Sequence, residues 1–597
     1  MKYSDALAEC LKEAGYTTVF FVSGGNIMHL IESFSSRFKM IPVLHEVSAV
    51  LATDYFNETS PSDKEKALAL VTLGPGVTNT VSGIASAFVD SREVLLIGGQ
   101  VKSTDMKTDR DRQNGLQEIH GEPLMRSITK KSVVMKDMLH LSEFHEIISH
   151  SWLGRKGPVY VEICLDVQGR TYTHPIEATR RPVKTEHSPE NTEEDENAIL
   201  EIVQRLASAR RPIILVGGGF ARELSPLLQK FSLEFGIPVA TSWNGADRFS
   251  ADSIYYAGRP NMFGQRWANI FIQQADFILV LGSSLGIQQT GFNVAEFAKN
   301  AVIAQIDIDP QSLLNPELVN LKGFQGDVNS WFPKMYSSGS NVDWHLHVNS
   351  RKEWLAFLAE LRTEFPVVEE ATKLHDKTNP FQVIYDLSLV ASRDTSIVSC
   401  SSGGTYTSFM QTFQNKSGQV VISSKGMGSM GVGLAGAIGV TCARNNEVWL
   451  FEGDGGFAQN LQELGTVAAN NLNLKIFVFS NHGYSSIRST QKRYFNGNYV
   501  GCDLETGLGL PNLRKIAEAF NISYLEIPQG QFNLSEVLNE ISPTRALLIE
   551  IFLDVDQTYL PKIDSRVLPN GGMESNPLHI MSPEISDAQS ELYFRYI

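Results

Sequence analysis

The sequence predicts an α/β protein built on three doubly wound parallel sheets, and three observations lead to this prediction. The chain has 597 residues, several times the ~150 residues of an average domain. Short apolar runs recur along it, and most of them are followed by Gly, Ser or Asn. A helical period of apolar residues follows these turns. Strands that alternate with helices form parallel sheets whose two faces are both covered.

The apolar runs that we interpret as buried strands fall into three blocks, residues 1–175, 190–340 and 375–560. The runs are 19–22, 67–72, 94–97, 159–163, 213–216, 277–281, 304–308, 448–451, 475–479 and 546–551. The polar stretch 180–196 is typical of a linker, and weaker boundaries lie at 336–343 and 376–379. Residues 561–597 are expected to form a tail, either an ordered wrap or a flexible end. The first and third blocks could share one fold, which the sequence alone does not decide.

Composition and charge limit the classes of function. The chain has 51 Lys and Arg against 66 Asp and Glu, which gives a net charge of −15 at pH 7. Nucleic acids and anionic membranes are bound by basic surfaces, so neither is expected as a partner. An anionic ligand would instead need backbone N–H groups, a metal ion or a few placed cations.

The cysteines and the apolar segments favour a cytoplasmic enzyme. The five cysteines are scattered without a CxxC pair, which argues against a thiolate zinc site and a disulfide framework. Charged residues interrupt the first helix, so no secretory signal is expected. No window reaches the ~18 uncharged apolar residues of a membrane span.

The strongest signal for chemistry lies in the third block, where polar residues follow two neighbouring strands. One apolar run leads into EGDGG at 452–456, and the next leads into SNHG at 480–483. Asp454 and Asn481 thus follow the carboxyl ends of strands, where doubly wound sheets bind ligands. A carboxylate, a carboxamide oxygen and a main-chain carbonyl would form a hard oxygen site suited to Mg²⁺. The glycines would let the backbone approach a pyrophosphate closely.

These motifs resemble the signature of the thiamine-diphosphate enzymes, in which GDG is followed by Asn at about this spacing. The resemblance implies thiamine diphosphate and Mg²⁺ as cofactors, with Asp454, Asn481 and the carbonyl of Gly483 as metal ligands. It also implies the domain order pyrimidine-binding, central and diphosphate-binding. His482 stands where the family more often has a second Asn, a change we expect to be tolerated because the main chain sets the loop.

The resemblance also implies an acid/base residue and a loop beneath the cofactor. Glu46 matches the Glu that bonds N1′ of the aminopyrimidine, and burial would raise its pKa toward the range useful for proton transfer. The segment SKGMGSMG at 424–431 resembles a segment of acetolactate synthase. Matching it places the Gly428 carbonyl on the 4′-amino group and Met430 as an apolar wedge between the two rings. Without the family, Glu46 would be a solvated carboxylate and Met430 a core residue.

Other site residues follow from the same resemblance. GPGVTN at 74–79 is close to the GPGxTN turn of the acetolactate synthase-like branch, and LQE at 116–118 resembles its Phe-Gln-Glu. Gln117 is therefore predicted to be catalytic together with Glu46. The remaining predicted cofactor-binding residues are Gly25, Asn26, Gly76, Asn79, Gly404, Thr405, Gly453, Gly455, Gly456, Tyr484, Ser485 and Ile487. Gly25 and Asn26 lie in VSGGN, where the family often has Pro-Gly.

The central block resembles the domain that binds FAD in acetolactate synthase and often binds nothing in other members. Ser284 stands where the flavin-binding Arg is expected. Arg259 and Arg266, each beside a glycine turn, could still cradle a dinucleotide. FAD is therefore kept as an open alternative.

The resemblance implies a carboligase whose active site lies between two subunits of a homodimer or homotetramer, since Glu46 of one subunit must meet Asp454 of another. It would decarboxylate a 2-oxo acid, in the first instance pyruvate, and transfer the two-carbon unit to an acceptor carbonyl. Thr490 replaces the Trp that covers the acceptor pocket in acetolactate synthases, which implies a larger acceptor such as a nucleotide-linked ketosugar. Arg488 and Lys492 would bind its phosphate, or form a solvated basic turn.

Three alternatives to this function stay open. An acetolactate synthase catalytic subunit would make acetolactate from pyruvate alone. A thiamine-dependent 2-oxo acid decarboxylase or C–C hydrolase would release an aldehyde or a cleaved acid. A cofactor-binding regulatory or scaffold relative would have no activity, and the presence of Glu46, Asp454 and Asn481 together argues against it.

Overall fold

Three parallel sheets organise the computed structural model of the chain, which describes residues 1–106, 112–175, 192–541 and 544–597. The predicted α/β fold with three parallel sheets is confirmed. Most of the predicted linker 180–196 lies outside the described residues. Among the described helices, none is both long enough and apolar enough to cross a membrane.

The first sheet has six strands, all parallel, between two layers of helices. Its strands are β1 (Tyr16–Phe21), β2 (Lys39–Pro42), β3 (Lys66–Val71), β4 (Leu95–Gln100), β5 (Lys131–Met135) and β6 (Val159–Cys164). Its helices are α1 (Tyr3–Glu13), α2 (Met28–Ser35), α3 (Glu46–Thr59), α4 (Pro75–Thr78), α5 (Val81–Val89), α6 (Gly121–Met125), α7 (Leu141–Ser149) and α8 (Leu165–Gly169). The strand order is β2-β1-β3-β4-β6-β5. Strands β3, β4 and β6 are buried along their whole length because helices cover both faces.

The central sheet has five parallel strands. Its elements are α9 (Glu193–Ser208), β7 (Pro212–Val216), α10 (Ser225–Phe235), β8 (Val239–Thr241), α11 (Arg266–Ile272), β9 (Phe277–Leu281), α12 (Ile287–Thr290), β10 (Val302–Asp307), β11 (Leu321–Gln325), α13 (Val328–Gly339) and α14 (Val348–Glu364). The strand order is β11-β10-β9-β7-β8. The order reverses between β7 and β9, so a crevice is expected at their carboxyl ends.

The third sheet repeats the topology of the first. Its elements are α15 (Pro380–Val390), β12 (Ser396–Ser399), α16 (Gly403–Thr412), β13 (Val421–Ile422), α17 (Val432–Arg444), β14 (Val448–Gly453), α18 (Asp454–Phe457), α19 (Leu464–Ala469), β15 (Leu474–Ser480), α20 (Ser485–Tyr494), α21 (Leu513–Ala519), β16 (Ser523–Ile527), α22 (Leu534–Ile541) and β17 (Ala546–Phe552). The order β13-β12-β14-β15-β17-β16 is again second, first, third, fourth, sixth and fifth in sequence. The first and third blocks therefore share one fold, a question that the sequence left open.

Helices α3 and α17 join the first and third sheets face to face. A Cβ atom on Gly436 would lie 2.6 Å from the ring of Tyr55, and one on Gly439 would overlap the carbonyl of Ala52. Only glycine allows so close an approach of the two backbones. As a result, one hydrophobic core extends through both domains.

The C-terminal tail packs against the central domain, which corresponds to the ordered alternative. It contains β18 (Lys562–Ile563), β19 (Ser565–Val567), β20 (Met573–Ser575), β21 (Met581–Ser582) and α23 (Asp587–Tyr593). Ile563, Leu578 and Tyr593 belong to the core of the central domain. Gln274 Nε2 donates to the carbonyl of Tyr593 over 2.8 Å. The tail thus ties the end of the third domain to the second.

Arg259 forms a second link between the central and third domains. Its side chain is fully buried. Nη1 donates to the carbonyls of Met410 (3.1 Å) and Phe413 (2.8 Å), and Nη2 donates to Asn415 Oδ1 (2.8 Å). One guanidinium therefore satisfies three buried acceptors that lie on or after α16.

We expect Arg259→Leu to lower the free energy of unfolding by about 3 kcal/mol, because buried acceptors would lose a charged donor. The urea midpoint of the purified protein measures this change. The control is Arg205→Leu, which removes only a surface ion pair with Glu201 and should cost less than about 1 kcal/mol. Equal midpoints for the two variants would contradict the assignment of Arg259 as an inter-domain link.

Candidate active site

Glu46 begins helix α3 at the carboxyl edge of the first sheet. Its carboxylate accepts a hydrogen bond from Asn79 Nδ2 over 2.9 Å. Asn79 ends the short helix α4, which follows β3, so two successive loops of one sheet edge supply the pair. Glu46 is half-buried within one chain, not fully buried as the sequence led us to expect. Its carboxylate lies at the first turn of α3, directly after the loop that follows β2.

The turn that carries Gly76 lies against the segment that carries Gln117. A Cβ atom on Gly74 would overlap the main-chain carbonyl of Gln117. The side chain of Gln117 is exposed, and its backbone has φ +58°. The fold therefore brings Glu46, Gly76, Asn79 and Gln117 to one edge of the first sheet, although they span 71 residues of sequence.

Gly25 and Asn26 occupy the loop after β1 at the same edge. A Cβ atom on Gly25 would meet no other atom within 4 Å, so this position faces open space. The side chain of Asn26 instead holds the loop to the domain, because its Nδ2 donates to the carbonyl of Gln100 over 3.2 Å. The carbonyl of Asn26 accepts from Gln168 Nε2 over 2.8 Å. Asn26 thus shapes this wall of the site through its loop.

Asp454 organises the corresponding edge of the third sheet. It is 6% exposed, and its Oδ2 accepts the N–H groups of Asn481 (3.1 Å) and Gly483 (3.2 Å). Its Oδ1 accepts the N–H of Gly455 over 2.7 Å. Burial raises the pKa of Asp454 to about 6, although these backbone donors lower it in part. The carboxylate therefore fixes the loop after β15 against the loop after β14.

Asn481 carries the observation that best fits a metal ion. Its Oδ1 is buried and has no hydrogen-bond partner among the described residues, whereas its Nδ2 lies 3.4 Å from Tyr559 Oη. A buried amide oxygen without a partner is costly unless a ligand satisfies it. Mg²⁺ prefers oxygen ligands, and the set of Asp454, Asn481 and the Gly483 carbonyl supplies only oxygens. Within the described ranges no group of three or more His, Cys, Asp or Glu could hold a metal, so this site is of another kind.

The loop after β15 explains the presence of histidine at position 482. His482 has φ +62°, a left-handed conformation in which Asn, Asp and His are enriched among residues with a side chain. Its side chain is exposed and makes no contact with the carboxylate of Asp454. The expectation that the main chain sets this loop agrees with the geometry.

The other predicted residues of the third domain surround Asp454. Thr405 Oγ1 would lie 3.5 Å from a Cβ atom on Gly453, and the ring of Tyr484 would overlap one on Gly455. A Cβ atom on Gly456 would lie 2.5 Å from Glu452 Oε1. Ser485 and Ile487 lie in the first turn of α20, and Ile487 is exposed. The carboxyl ends of β12, β14 and β15 therefore meet in one cradle.

Gly428 and Met430 lie on the loop between β13 and α17. A Cβ atom on Gly428 would lie 3.4 Å from the carbonyl of Ser401, which precedes α16. Met430 is 39% exposed, and its Sδ lies 3.8 Å from Gln459 Nε2. An apolar side chain held at the surface beside the Asp454 cradle is suited to contact a ligand.

Tyr559 is a site residue that the sequence analysis missed. It follows β17, and a Cβ atom on Gly404 would overlap its ring. Burial raises the pKa of Tyr559 to about 12, so the phenol is neutral at physiological pH. The phenol therefore orients the amide of Asn481 with Nδ2 toward itself and Oδ1 toward the cradle. Tyr559 lies 78 residues after Asn481, and no local motif distinguishes it.

We expect Tyr559→Phe to weaken Mg²⁺ binding about tenfold, because partners that orient a metal ligand are typically worth 10- to 100-fold in affinity. Titration of the metal-free protein with Mg²⁺ in the presence of thiamine diphosphate measures the effect. The control Tyr499→Phe removes a phenol from the surface near Arg488 and should leave the affinity unchanged. Unchanged affinity in Tyr559→Phe would contradict the orienting role.

Arg488 and Lys492 are not free cations, contrary to the expectation that they bind a phosphate. Arg488 forms an ion pair with Asp503 and stacks 4.5 Å from the ring of Tyr499. Lys492 pairs with Asp556 over 3.2 Å at the surface. The predicted basic turn is a segment of helix α20, and both charges are balanced by carboxylates elsewhere in the chain.

The side chains of Arg259 and Arg266 both have partners within the chain. Arg259 binds acceptors of the third domain as described above. Arg266 is 3% exposed and forms an ion pair with Glu369 over 3.0 Å. At the crevice between β7 and β9, a Cβ atom on Gly219 would lie 3.1 Å from Gly282, so the two glycine loops are packed together. Of the two arginines that the sequence offered as a FAD cradle, Arg259 joins the central domain to the third, and Arg266 binds Glu369 in the segment after α14.

Three family models match the chain. They describe thiamine pyrophosphate enzymes: the N-terminal TPP binding domain matches residues 1–124, the central domain 199–332, and the C-terminal TPP binding domain 402–551. The chain belongs to this family and is a thiamine-diphosphate-dependent enzyme of the acetolactate synthase-like type.

Three curated relatives of the chain are named as acetolactate synthases. The chain is 27% identical to the large subunit from Cyanidium caldarium over 571 residues, or 94% of each chain. It is 28% identical to the isozyme 2 large subunit of Escherichia coli (strain K12), with 96% of this chain and 99% of the relative covered. It is 28% identical to the mitochondrial enzyme of Schizosaccharomyces pombe, with 90% and 81% covered. The resemblance drawn from the motifs is confirmed.

Proposed function

We propose that the protein is a Mg²⁺- and thiamine-diphosphate-dependent carboligase. It would decarboxylate a 2-oxo acid, in the first instance pyruvate, and transfer the two-carbon unit to an acceptor carbonyl. The observation that carries this proposal is the buried, unpartnered Oδ1 of Asn481 beside the carboxylate of Asp454. When bound, thiamine diphosphate supplies the electron sink for loss of CO₂.

The third domain would hold the cofactor by its diphosphate. Asp454, Asn481 and the carbonyl of Gly483 would bind Mg²⁺. Helix α16 begins at Gly403, so the N–H groups of Gly404 and Thr405 in its first turn lack intrahelical acceptors. Such N–H groups and the positive end of the helix dipole favour phosphate. Gly453, Gly455, Gly456, Tyr484 and Ser485 would line the cradle.

The first domain would supply proton transfer. Glu46 would hold and release a proton at its carboxylate, and Asn79 would orient that carboxylate through the hydrogen bond of 2.9 Å. The carbonyl of Gly428 would accept a hydrogen bond from the aminopyrimidine, and Met430 and Ile487 would contact the apolar parts of the cofactor. Gln117, exposed at the same edge as Glu46, would position the acceptor, with Gly25, Asn26 and Gly76 forming the wall.

We infer that the working enzyme is a homodimer or larger, with each site between two subunits. Exposed apolar side chains support this proposal because they border both edges of the candidate site. They are Leu44, Leu116, Met427, Met430 and Ile487, each between 39% and 85% exposed. In the described part of the chain, no hydrogen bond joins Glu46 to the Asp454 cradle. A second subunit would cover the apolar residues and bring Glu46 to its partner's cofactor, as size-exclusion chromatography with light scattering would test.

Two candidate functions differ in the acceptor substrate that they imply. The exposed Thr490 leaves the opening beside α20 without a large aromatic side chain, which supports a bulky acceptor such as a nucleotide-linked ketosugar. The named acetolactate synthase relatives support pyruvate or a similar small 2-oxo acid as the acceptor. Whichever acceptor is used, the donor half of the reaction is the same.

Mass spectrometry of the products separates these candidates. The protein, Mg²⁺ and thiamine diphosphate are incubated with pyruvate alone and with pyruvate plus a nucleotide-linked ketosugar. Acetolactate from pyruvate alone would support the synthase, and a ketol of the sugar would support the larger acceptor. Free acetaldehyde would identify a decarboxylase. Bound cofactor without turnover would contradict the carboligase and favour the non-enzymatic relative.

Two further properties are proposed. An absorbance spectrum of the purified protein tests for FAD directly, and we expect no flavin band because Ser284 and the two paired arginines leave no cradle. All five cysteines are free thiols, which supports a reducing compartment such as the cytoplasm.

A further inference from the structure

The loop that carries Gly428 and Met430 is held at its start by a residue of another domain. Asp90, which follows α5 in the first domain, is almost fully buried. Its Oδ2 accepts the hydroxyl of Ser424 over 2.6 Å, and its Oδ1 accepts the N–H of Gly426 over 2.9 Å. Two residues near the start of the loop, Ser424 and Gly426, are therefore held by one carboxylate.

The central domain reaches the same carboxylate through Asn244. This residue lies just beyond β8, at the carboxyl edge of the central sheet. Its Nδ2 donates to Asp90 Oδ1 over 2.9 Å, and its Oδ1 accepts the N–H of Lys425 over 3.1 Å. All three domains thus meet at Asp90, and the side chain of Asn244 is fully committed to this contact.

Lys425 adds a second contact between the loop and the central domain. Its ammonium lies 4.5 Å from the ring of Trp243, next to Asn244, and 5.2 Å from the ring of Tyr406 on α16. Aromatic faces attract a cation at these distances. Burial lowers the pKa of Lys425 to about 8. The side chain of Lys425 therefore lies between the central and third domains. Lys425 is the third residue of the loop, after Ser424 and Gly426, that is held by contacts from outside it.

We propose that Asp90 and Asn244 are positioning residues that fix the cofactor loop, and that the central domain contributes to catalysis through this contact. The inference rests on the proposed function, in which Gly428 binds the aminopyrimidine. Residues 426, 428 and 431 of the loop are glycines, so its backbone has little intrinsic rigidity. Hydrogen bonds from outside the loop are then needed to hold the Gly428 carbonyl and Met430 in one geometry.

The carboxylate of Asp90 makes shorter contacts with the loop than with the neighbouring Arg92. Arg92 lies 3.3 Å from Asp54 and donates to the carbonyl of Ser423, whereas its distance to Asp90 is 4.0 Å. Asp90 instead has its three short contacts with Ser424, Gly426 and Asn244. Two of these three hydrogen bonds come from the loop and the third comes from Asn244, so the carboxylate joins the loop to the central domain.

The test replaces Asn244 with leucine, which has a similar volume and makes neither hydrogen bond. We expect kcat for pyruvate turnover to fall about tenfold while KM changes less than about twofold, because the cofactor loop rather than substrate binding is altered. In the cofactor-free protein, amide hydrogen exchange in residues 427–431 should be about tenfold faster. This readout does not depend on activity.

The matched control is Asn329→Leu in the same domain. Asn329 also makes two hydrogen bonds, one from the N–H of Ala221 (2.8 Å) and one to the carbonyl of Gly219 (3.1 Å), but it does not contact the loop. It should change neither kcat nor exchange in 427–431. Equal effects of the two variants would overturn the inference, because they would reflect a general loosening of the central domain.

Ser424→Ala keeps the test decisive if Asn244→Leu does not fold. It removes one hydrogen bond from Asp90 and should give a smaller effect in the same direction. Wild-type kcat and exchange in the folded variants would overturn the inference. Failure of the wild-type protein to bind thiamine diphosphate would instead overturn the proposed function, while the exchange measurement would still report whether Asn244 orders the loop.

Discussion

Replacing Glu46 with glutamine is expected to lower kcat by 10²- to 10⁴-fold, the range that a positioned acid/base contributes. The amide keeps the shape of the side chain, and its carbonyl oxygen can still accept the hydrogen bond from Asn79. What is lost is a group that can hold and release a proton at the aminopyrimidine. Because the proposed ligands of the metal and the diphosphate lie in the third domain, the affinity for both should change little.

Steady-state kinetics with pyruvate and a thermal-shift titration with Mg²⁺ and thiamine diphosphate together test this prediction. The control is Glu32→Gln, an exposed carboxylate on α2 that pairs only with Lys2 at the surface. It should behave as the wild-type protein does. Full turnover in Glu46→Gln would show that Glu46 is not needed for proton transfer. A loss of cofactor binding as large as the loss of kcat would assign it to binding instead.

The sequence located the strands inside each sheet and missed the strands at the edges. Every apolar run that was interpreted as a strand overlaps β1, β3, β4, β6, β7, β9, β10, β14, β15 or β17. The strands without such a run include both edges of all three sheets: β2 and β5, β8 and β11, and β13 and β16. Strand β12 was also missed, because SIVS offers only two apolar residues.

The physical reason is the number of covered faces. An interior strand such as β15 is buried along its whole length and must be apolar throughout. An edge strand such as β11, with the sequence LKGFQ, has mostly exposed or half-buried side chains, so composition alone does not distinguish it from a loop. Edge strands are also short, which agrees with the general avoidance of long exposed edges.

For the site, the sequence predicted groups that follow from topology and missed contacts that follow from packing. Asp454 and Asn481 could be placed together because successive parallel strands end at one edge. Tyr559 and Asn244 approach that edge from distant parts of the chain and belong to no motif. The same limit applies to Arg488 and Lys492, for which the sequence left phosphate binding and a solvated turn open. Their carboxylate partners Asp503 and Asp556 could not be identified without the fold.

The first and third sheets share one topology, and each contributes a different set of residues to the candidate site. In each sheet, the loops after the first, third and fourth strands meet at the carboxyl edge. In the first domain these loops carry Asn79 and Gln117, which border Glu46. In the third they carry Thr405, Asp454 and Asn481. Two copies of one fold thus offer different edges, one with the proposed proton-transfer group and one with the proposed metal ligands.

Asn481→Leu is expected to weaken Mg²⁺-dependent binding of thiamine diphosphate about 100-fold, or about 2.8 kcal/mol at 1.4 kcal/mol per tenfold. Replacing Asn481 tests metal binding more specifically than replacing Asp454 would. The carboxylate of Asp454 accepts N–H groups from both loops, so its replacement would also release the backbone. In the described part of the chain, the Oδ1 of Asn481 has no partner. Its removal is therefore expected to cost only the proposed bond to the metal and the contact with Tyr559.

The measurement is the rise in unfolding temperature when Mg²⁺ and thiamine diphosphate are added together. At 100 times the dissociation constant, a ligand stabilises the folded protein by about 2.7 kcal/mol. Asn481→Leu should lose most of this rise at the same concentrations, and chelation of Mg²⁺ should remove it from the wild-type protein. The exposed Asn498→Leu serves as control and should keep the full rise. If Asn481→Leu keeps it as well, the unpartnered amide oxygen is not a metal ligand, and the observation that carries the proposed function is lost.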